Sequence, residues 1–209
     1  MTERGKTQVK ALAQCWANVR IDAMYTSDLE RASDTALALK EGNKSQPDLV
    51  PCLLLRERDY GSQIRHISEW SRRSEVMGVS DGGWPGRTHH PCGEGESLNE
   101  VANRARAMTL IALGKHGIKL PDTPKIVDII EEKSPSWNSA RQWDKDDVPE
   151  GIPHVVFVSH NVLMCELSEA LSHFVLEGDE DPAAHKWSKF QYANAGWSVF
   201  LLLNECSCR

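Results

Sequence analysis

Short apolar runs of strand length, separated by helix signals, constrain the fold of this chain more than any other feature. Residues 23–26 and 154–159 are compact runs of this kind, and residues 49–55 form a third that tolerates Pro51 only near its start. Strands that alternate with helices are typical of an α/β sheet with helices on both faces. Ligands bind beyond the carboxyl ends of the strands in such sheets, so the residues that directly follow these runs are candidate site residues.

Helical periodicity and capping residues predict the elements around these strands. Four helices are predicted, at residues 2–19 with Thr2 as cap, from Ser27 or Asp28 to residue 40, at 97–113 and at 161–175. A shorter helix over residues 67–75 and a last strand over 197–203 complete the pattern. The Pro-, Ser-, Asp- and Lys-rich residues 117–153 are predicted to form a surface insertion.

Length and composition predict a single domain over residues 1–209. The chain has 209 residues, of which 40% are hydrophobic and 26% charged, as in ordinary globular domains. Its net charge of −6 and the absence of a membrane-length apolar run predict that neither nucleic acid nor a membrane is a partner. Six cysteines without paired spacing are typical of reduced thiols, which predicts a cytoplasmic protein. The sequence leaves the oligomeric state open.

Positive charge is concentrated locally in spite of the acidic total. The basic side chains between residues 56 and 90 are Arg56, Arg58, Arg65, His66, Arg72, Arg73, Arg87, His89 and His90. They are either solvated surface cations or a rim that attracts anionic substrates, and both interpretations remain open at this point.

Two side chains that follow strands are suited to bind phosphate. His160 follows the run at 154–159 and precedes a helix, whose amino end favours anions. There it can donate to a phosphoryl oxygen and stabilise charge in the transition state. Arg31 lies one turn into the helix after the first strand, and its rigid guanidinium fork matches two phosphate oxygens. The alternatives are a structural hydrogen bond for His160 and an ion pair of Arg31 with Asp28 or Asp34.

Carboxylates occur in two further segments, Leu-Arg-Glu-Arg-Asp-Tyr-Gly at 55–61 and Gly-Glu-Gly-Glu-Ser-Leu at 93–98. A carboxyl group that acts as general acid must keep its proton near neutral pH, which requires partial burial or a nearby anion. Glu57 directly follows an apolar run, although from the residues alone an exposed Glu–Arg surface cluster is the simpler interpretation. Ser97 is a natural helix cap, and Glu96 is a candidate to reach the pocket formed by the histidines and arginines named above.

Taken in chain order, these segments resemble the histidine phosphatase superfamily, the phosphoglycerate mutase-like proteins. The resemblance begins at Thr2-Glu3-Arg4-Gly5 and continues through residues 25–36, 55–61, 93–98 and 159–161, where Asn161 replaces the family's usual glycine. It implies an α/β three-layer sandwich whose mostly parallel central sheet is flanked by helices. It also implies phosphoryl transfer through a phosphohistidine, without a metal or another cofactor.

The resemblance implies a role for several residues of this chain. Arg31 and His160 would hold the phosphoryl group of a small phosphorylated substrate, or free phosphate, and His160 would also act in catalysis. Glu57 would be the catalytic proton donor to the leaving oxygen. The further candidate pocket residues are Ser27, Arg58, Glu96 and Asn161.

The family's first signature, an Arg-His-Gly on the first strand that carries the nucleophilic histidine, does not occur in the chain. Residues 1–5 resemble the segment that follows it, so the domain is predicted to be N-terminally truncated and to lack the usual first strand. Lys115-His116-Gly117 and Arg65-His66-Ile67 do not replace the signature because no strand precedes either of them. The sequence therefore predicts a phosphomonoesterase if the upstream strand is present, and otherwise an inactive module that binds a phosphorylated ligand.

Overall fold

The computed structural model describes residues 1–62, 86–91, 94–117 and 153–173. Its elements follow in the order α1 (Glu3–Cys15), β1 (Ala23–Thr26), α2 (Glu30–Gly42), β2 (Asp48–Pro51), a short 3₁₀ helix (Leu53–Leu55), α3 (Leu98–Lys115), β3 (Val155–Val158) and α4 (Asn161–His173). The elements predicted at 67–75 and 197–203, and all but the end residues of the insertion predicted at 117–153, lie outside the described residues. Within the described ranges, no helix is long and apolar enough to cross a membrane.

The three described strands form one parallel sheet in the order β2-β1-β3. Met24 of β1 lies opposite Leu49 of β2 on one side and opposite Val156 of β3 on the other. Every residue of β1 is buried, because this strand is hydrogen-bonded along both edges and covered on both faces. The predicted parallel sheet is confirmed.

Side chains of the strands alternate between two hydrophobic cores, one on each face of the sheet. Tyr25 belongs to the core formed with α3 and α4, and its ring stacks on Phe157 at a centroid distance of 5.7 Å. Met24 belongs to the core formed with α1 and α2 and is fully buried. Helices thus cover both faces, which confirms the predicted three-layer sandwich.

Two predicted elements are shorter in the structure than expected. The strand predicted over 49–55 ends at Pro51, and the N–H of Cys52 makes one more hydrogen bond to the carbonyl of Thr26 at 2.8 Å before the chain turns. The remaining residues, Leu53–Leu55, form the 3₁₀ helix that leads into the segment of Glu57. The first helix ends at Cys15 rather than at residue 19, since the backbone after it tightens into turns before β1.

The predicted caps of α1 and α3 are confirmed, whereas the predicted cap of α2 is wrong. Thr2 caps α1, and Ser97 caps α3 through a complete capping box. The helix α2 begins at Glu30 without a side-chain cap, so neither Ser27 nor Asp28 has this role. Both side chains instead bind partners at the carboxyl edge of the sheet.

Candidate active site

The carboxyl ends of the parallel strands meet at one edge of the sheet, where an α/β fold places its ligands. Directly after β1, the backbone N–H of Ser27 donates to the carbonyl of Val158 at the end of β3, at 2.9 Å. The hydroxyl of Ser159 donates to the carbonyl of Leu55, the last residue of the 3₁₀ helix, at 2.7 Å. These two bonds hold the three segments of the site together.

His160 is bound on both ring nitrogens by residues that follow β1. Arg31 Nε donates to His160 Nδ1 at 3.0 Å, and His160 Nε2 lies 2.9 Å from Ser27 Oγ. Because an arginine Nε always carries its hydrogen, Nδ1 is the unprotonated nitrogen and Nε2–H donates to Ser27. Ser27 Oγ also accepts from the backbone N–H of Leu29 at 3.2 Å. The structure therefore brings together the three predicted site residues Ser27, Arg31 and His160.

The imidazole of His160 is held in its neutral form. His160 is only 6% exposed, and this burial is the main cause that lowers its pKa to about 4. The positive charge of Arg31 acts on the pKa in the same direction. The nitrogen that faces Ser27 already carries the proton, so it cannot deprotonate that hydroxyl. This geometry excludes a serine–histidine nucleophile and leaves Nε2–H as a donor for an anion.

The ion pair that the sequence offered as an alternative for Arg31 is made by another arginine. Asp28 accepts from Arg56 Nε at 2.7 Å and from Arg56 Nη2 at 2.5 Å. The hydrogen bond with Arg56 is the main cause that lowers the pKa of Asp28. This exposed pair joins the start of α2 to the segment after β2, while Arg31 contacts His160 and is otherwise exposed to solvent.

Glu57 is half-buried at the same edge of the sheet, two residues past the end of the 3₁₀ helix. Its Oε1 accepts from the backbone N–H of Arg58 at 2.9 Å. The Arg58 side chain donates to the carbonyls of Glu96 at 2.8 Å and His89 at 3.2 Å, and burial lowers its pKa. Since Arg58 is 7% exposed, this segment is not the exposed Glu–Arg cluster of the simpler interpretation.

Glu96 binds an arginine that sequence reasoning did not single out. Arg104 on α3 donates to the two carboxylate oxygens of Glu96 at 2.6 and 2.7 Å. The carboxylate of Glu96 therefore binds Arg104 and the backbone of Asp59 rather than His160. Glu96 precedes the cap Ser97 and lies outside the helix, so no helical spacing in the sequence indicated this pair.

Each described arginine between residues 56 and 90 binds a partner within the fold, whereas the buried Nε2 of His89 has no hydrogen-bond partner among the described residues. Arg56 binds Asp28, and Arg58 binds backbone carbonyls. Arg87 donates to the buried carboxylate of Glu166 at 2.5 Å, and burial raises the pKa of that carboxyl. Residues 65, 66, 72 and 73 lie outside the described ranges. The described arginines favour a structural role over a free rim that attracts anions.

Comparison with known proteins identifies the family. The model of the histidine phosphatase superfamily (branch 1) matches residues 1–118, more than half of the chain. This chain belongs to the histidine phosphatase superfamily. The fructose-2,6-bisphosphatase TIGAR of Xenopus tropicalis is 37% identical over 109 residues, which cover 51% of this chain and 38% of that relative. The match therefore spans well under half the length of this curated relative.

Solved structures of a phosphatase and of a mutase share the fold. A mycobacterial glucosyl-3-phosphoglycerate phosphatase in complex with VO3 aligns with a TM-score of 0.57 at 25% identity, covering 93% of this chain and 75% of its own. The phosphoglycerate mutase of Bacillus anthracis aligns with a TM-score of 0.55 at 19% identity, covering 81% of this chain and 67% of its own. These likenesses confirm the predicted phosphoglycerate mutase-like fold.

The predicted site residues of this histidine phosphatase superfamily member lie in three settings. Ser27 and Arg31 are each hydrogen-bonded to His160, and Glu57 and Arg58 occupy the adjacent segment. Asn161 is the exposed first residue of α4, next to His160. The catalytic and phosphate-binding roles of these residues remain predictions.

Proposed function

We propose that this protein hydrolyses phosphomonoesters of small molecules through a phosphohistidine when an upstream strand supplies the Arg-His-Gly signature. The observation that carries the proposal is the hydrogen bond from Arg31 Nε to His160 Nδ1 at the carboxyl edge of the sheet. It sets a guanidinium fork beside an imidazole donor, with Arg31 open to solvent. The names of two relatives, a bisphosphatase and a phosphatase, support the same class of reaction.

In this proposal, Arg31 and His160 hold the phosphoryl group. The remaining N–H groups of Arg31 bind two phosphoryl oxygens, as a planar fork does best. His160 Nε2–H, which contacts Ser27 Oγ in the free protein, turns its hydrogen bond to a third oxygen. The amino end of α4 begins directly after His160 and adds partial positive charge, so negative charge is stabilised as the transition state forms.

The chemistry then takes two steps. The imidazole of the upstream histidine attacks phosphorus, the bond from phosphorus to the leaving oxygen breaks, and the carboxyl group of Glu57 gives its proton to that oxygen. Water next attacks the phosphohistidine, the carboxylate of Glu57 takes a proton from the water, and the nitrogen–phosphorus bond breaks to release phosphate. The assignment of Glu57 to both proton transfers is supported by its position after the 3₁₀ helix, which Ser159 ties to the end of β3.

A second candidate function is a module that binds a phosphorylated ligand without turning it over. It is favoured by one observation: the contact between Arg31 and His160 forms entirely within this chain. The tautomer of His160 also leaves no basic nitrogen facing Ser27, so this pair supplies no replacement nucleophile.

Turnover of nitrophenyl phosphate distinguishes the two functions. We expect a form of the protein extended upstream, in frame, to include an Arg-His-Gly strand to hydrolyse this ester, and the 209-residue chain not to do so. Replacement of the upstream histidine by alanine is the matched control and should return the rate to that of the shorter chain. No turnover by either form, together with calorimetric binding of orthophosphate, would contradict hydrolysis and support the binding module.

A further inference from the structure

Every N–H group of Arg104 is used within the protein. Nε and Nη2 donate to the carboxylate of Glu96 at 2.6 and 2.7 Å. Nη1 donates to the carbonyls of Leu54 at 2.7 Å and Arg56 at 3.0 Å, and Nη2 reaches the carbonyl of Glu57 at 3.5 Å. A guanidinium has five N–H groups, so these five acceptors leave none of them for a substrate.

Glu96 holds the other end of the same segment. Its Oε2 accepts from the backbone N–H of Asp59 at 3.1 Å, and its own N–H donates to the carbonyl of Asp59 at 2.8 Å. Its carbonyl accepts from Arg58 Nε at 2.8 Å. Residues 54–57 are therefore bound by Arg104 and residues 58–59 by Glu96, with Glu57 at the centre of the bound stretch.

We infer that Arg104 is a positioning residue that fixes Glu57 as the proton donor, an inference that rests on the proposed function. Its planar fork binds a carboxylate through two nitrogens and still reaches three carbonyls, which a lysine ammonium cannot reproduce. A general acid must lie within hydrogen-bond reach of the leaving oxygen. A catalytic group that is misplaced by about 1 Å costs on the order of 100-fold in rate. A residue that holds the backbone of Glu57 therefore controls the rate of proton transfer to the leaving oxygen.

The position of Arg104 near His160 does not make it a third phosphate ligand. Its positive charge contributes to the lowered pKa of His160, which places it in electrostatic range of the pocket. Its side chain is nevertheless only 18% exposed, and all of its donors are bound to Glu96 and to the 54–57 backbone. Loss of Arg104 is therefore expected to leave the contact between Arg31 and His160 in place.

Leaving groups of different basicity test this inference. A nitrophenolate leaves without a proton, whereas an alkoxide needs one. In the upstream-extended protein, Arg104→Met is expected to slow hydrolysis of an alkyl phosphate such as glycerol phosphate by about 10- to 100-fold. Hydrolysis of nitrophenyl phosphate is expected to slow by less than about threefold. Glu57→Gln is expected to show the same split between substrates, and Arg104→Met is expected to add nothing further in that background.

Arg106→Met is the matched control, because Arg106 is an exposed arginine on the same helix and both rates are expected to stay unchanged. Equal losses on the two substrates, or additive losses with Glu57→Gln, would overturn the positioning role. If Arg104→Met does not fold, Arg104→Lys carries the same comparison, since it keeps the charge and loses the fork. A wild-type extended protein that hydrolyses neither ester would refute the proposed function itself, and this inference with it.

Discussion

Replacing Arg31 by methionine is expected to weaken the binding of orthophosphate to this chain by about 10- to 100-fold, because a hydrogen bond from a charged group contributes about 1.5–3 kcal/mol. The change removes the fork that would bind two oxygens. It also removes the donor to His160 Nδ1, now 3.0 Å from Arg31 Nε, so the imidazole loses the contact that fixes its tautomer. Isothermal titration calorimetry of the wild-type and variant chains measures the effect.

Two control variants separate the fork from the charge. Arg20→Met removes the same charge at the opposite end of β1, where Arg20 binds Asp22, and the affinity is expected to stay unchanged. Arg31→Lys keeps the charge without the planar fork, and an intermediate affinity is expected. Orthophosphate affinities that are equal in the wild type and Arg31→Met would contradict the proposed role of this arginine.

Replacing Gly95 by alanine is expected to destabilise the protein by about 1–3 kcal/mol through overpacking. An added Cβ would lie 2.7 Å from the carbonyl oxygen of Asp59 and 2.8 Å from the carbonyl carbon of Tyr60. Both contacts are with backbone atoms, which cannot rotate away, so the segment that follows Glu57 must shift. Urea unfolding measures the change in the free energy of unfolding, and the extended protein is expected to lose alkyl phosphate hydrolysis as well.

Gly114→Ala is the matched control for this substitution. Gly114 lies in the last turn of α3, and an added Cβ there meets nothing within 4 Å. Alanine at this position is expected to raise the free energy of unfolding by up to about 1 kcal/mol, because it favours the helix. A Gly95→Ala protein as stable as the wild type would show that the backbone of residues 59–61 does not lie against Gly95.

The meeting of Arg31 and His160 could be predicted from the sequence because it depends on topology. Both residues follow short apolar runs, and strands of a parallel sheet end at the same edge. The alternation of side chains along β1 likewise decides that Met24 and Tyr25 enter different cores, which makes three layers. Neither the meeting of Arg31 with His160 nor the three layers depends on the conformation of a loop.

The partners of the charged side chains could not be predicted in the same way. Asp28 and Arg56 are 28 positions apart, and their pairing depends on how two loops approach each other. Arg104 reaches the carbonyl of Leu54 across 50 positions for the same reason. The pair of Glu96 and Arg104 is no exception, since Glu96 precedes the cap Ser97 and does not lie on the helix that carries Arg104.

The end of β2 shows that a hydrophobic pattern does not fix where a strand ends. The apolar run at 49–55 has the length of a strand, yet β2 ends at Pro51, Cys52 makes one last hydrogen bond to Thr26, and the chain turns into the 3₁₀ helix. This early ending carries the chain toward Glu57, whose segment is then fixed by Arg104 and Glu96. A continuous strand to residue 55 would have delivered Glu57 in a different direction.

The most direct test is to measure the pKa of His160 with and without orthophosphate. NMR of the imidazole ring follows the titration, and His160→Gln assigns the signal. The comparison shows whether an oxyanion binds between this imidazole and Arg31. Burial and the Arg31 charge lower the pKa of His160 to about 4 in the free protein. A bound anion stabilises the imidazolium, so orthophosphate is predicted to raise this pKa toward its ordinary value of about 6.5, and Arg31→Met is predicted to weaken the response. A His160 titration that stays the same at every orthophosphate concentration would contradict the account.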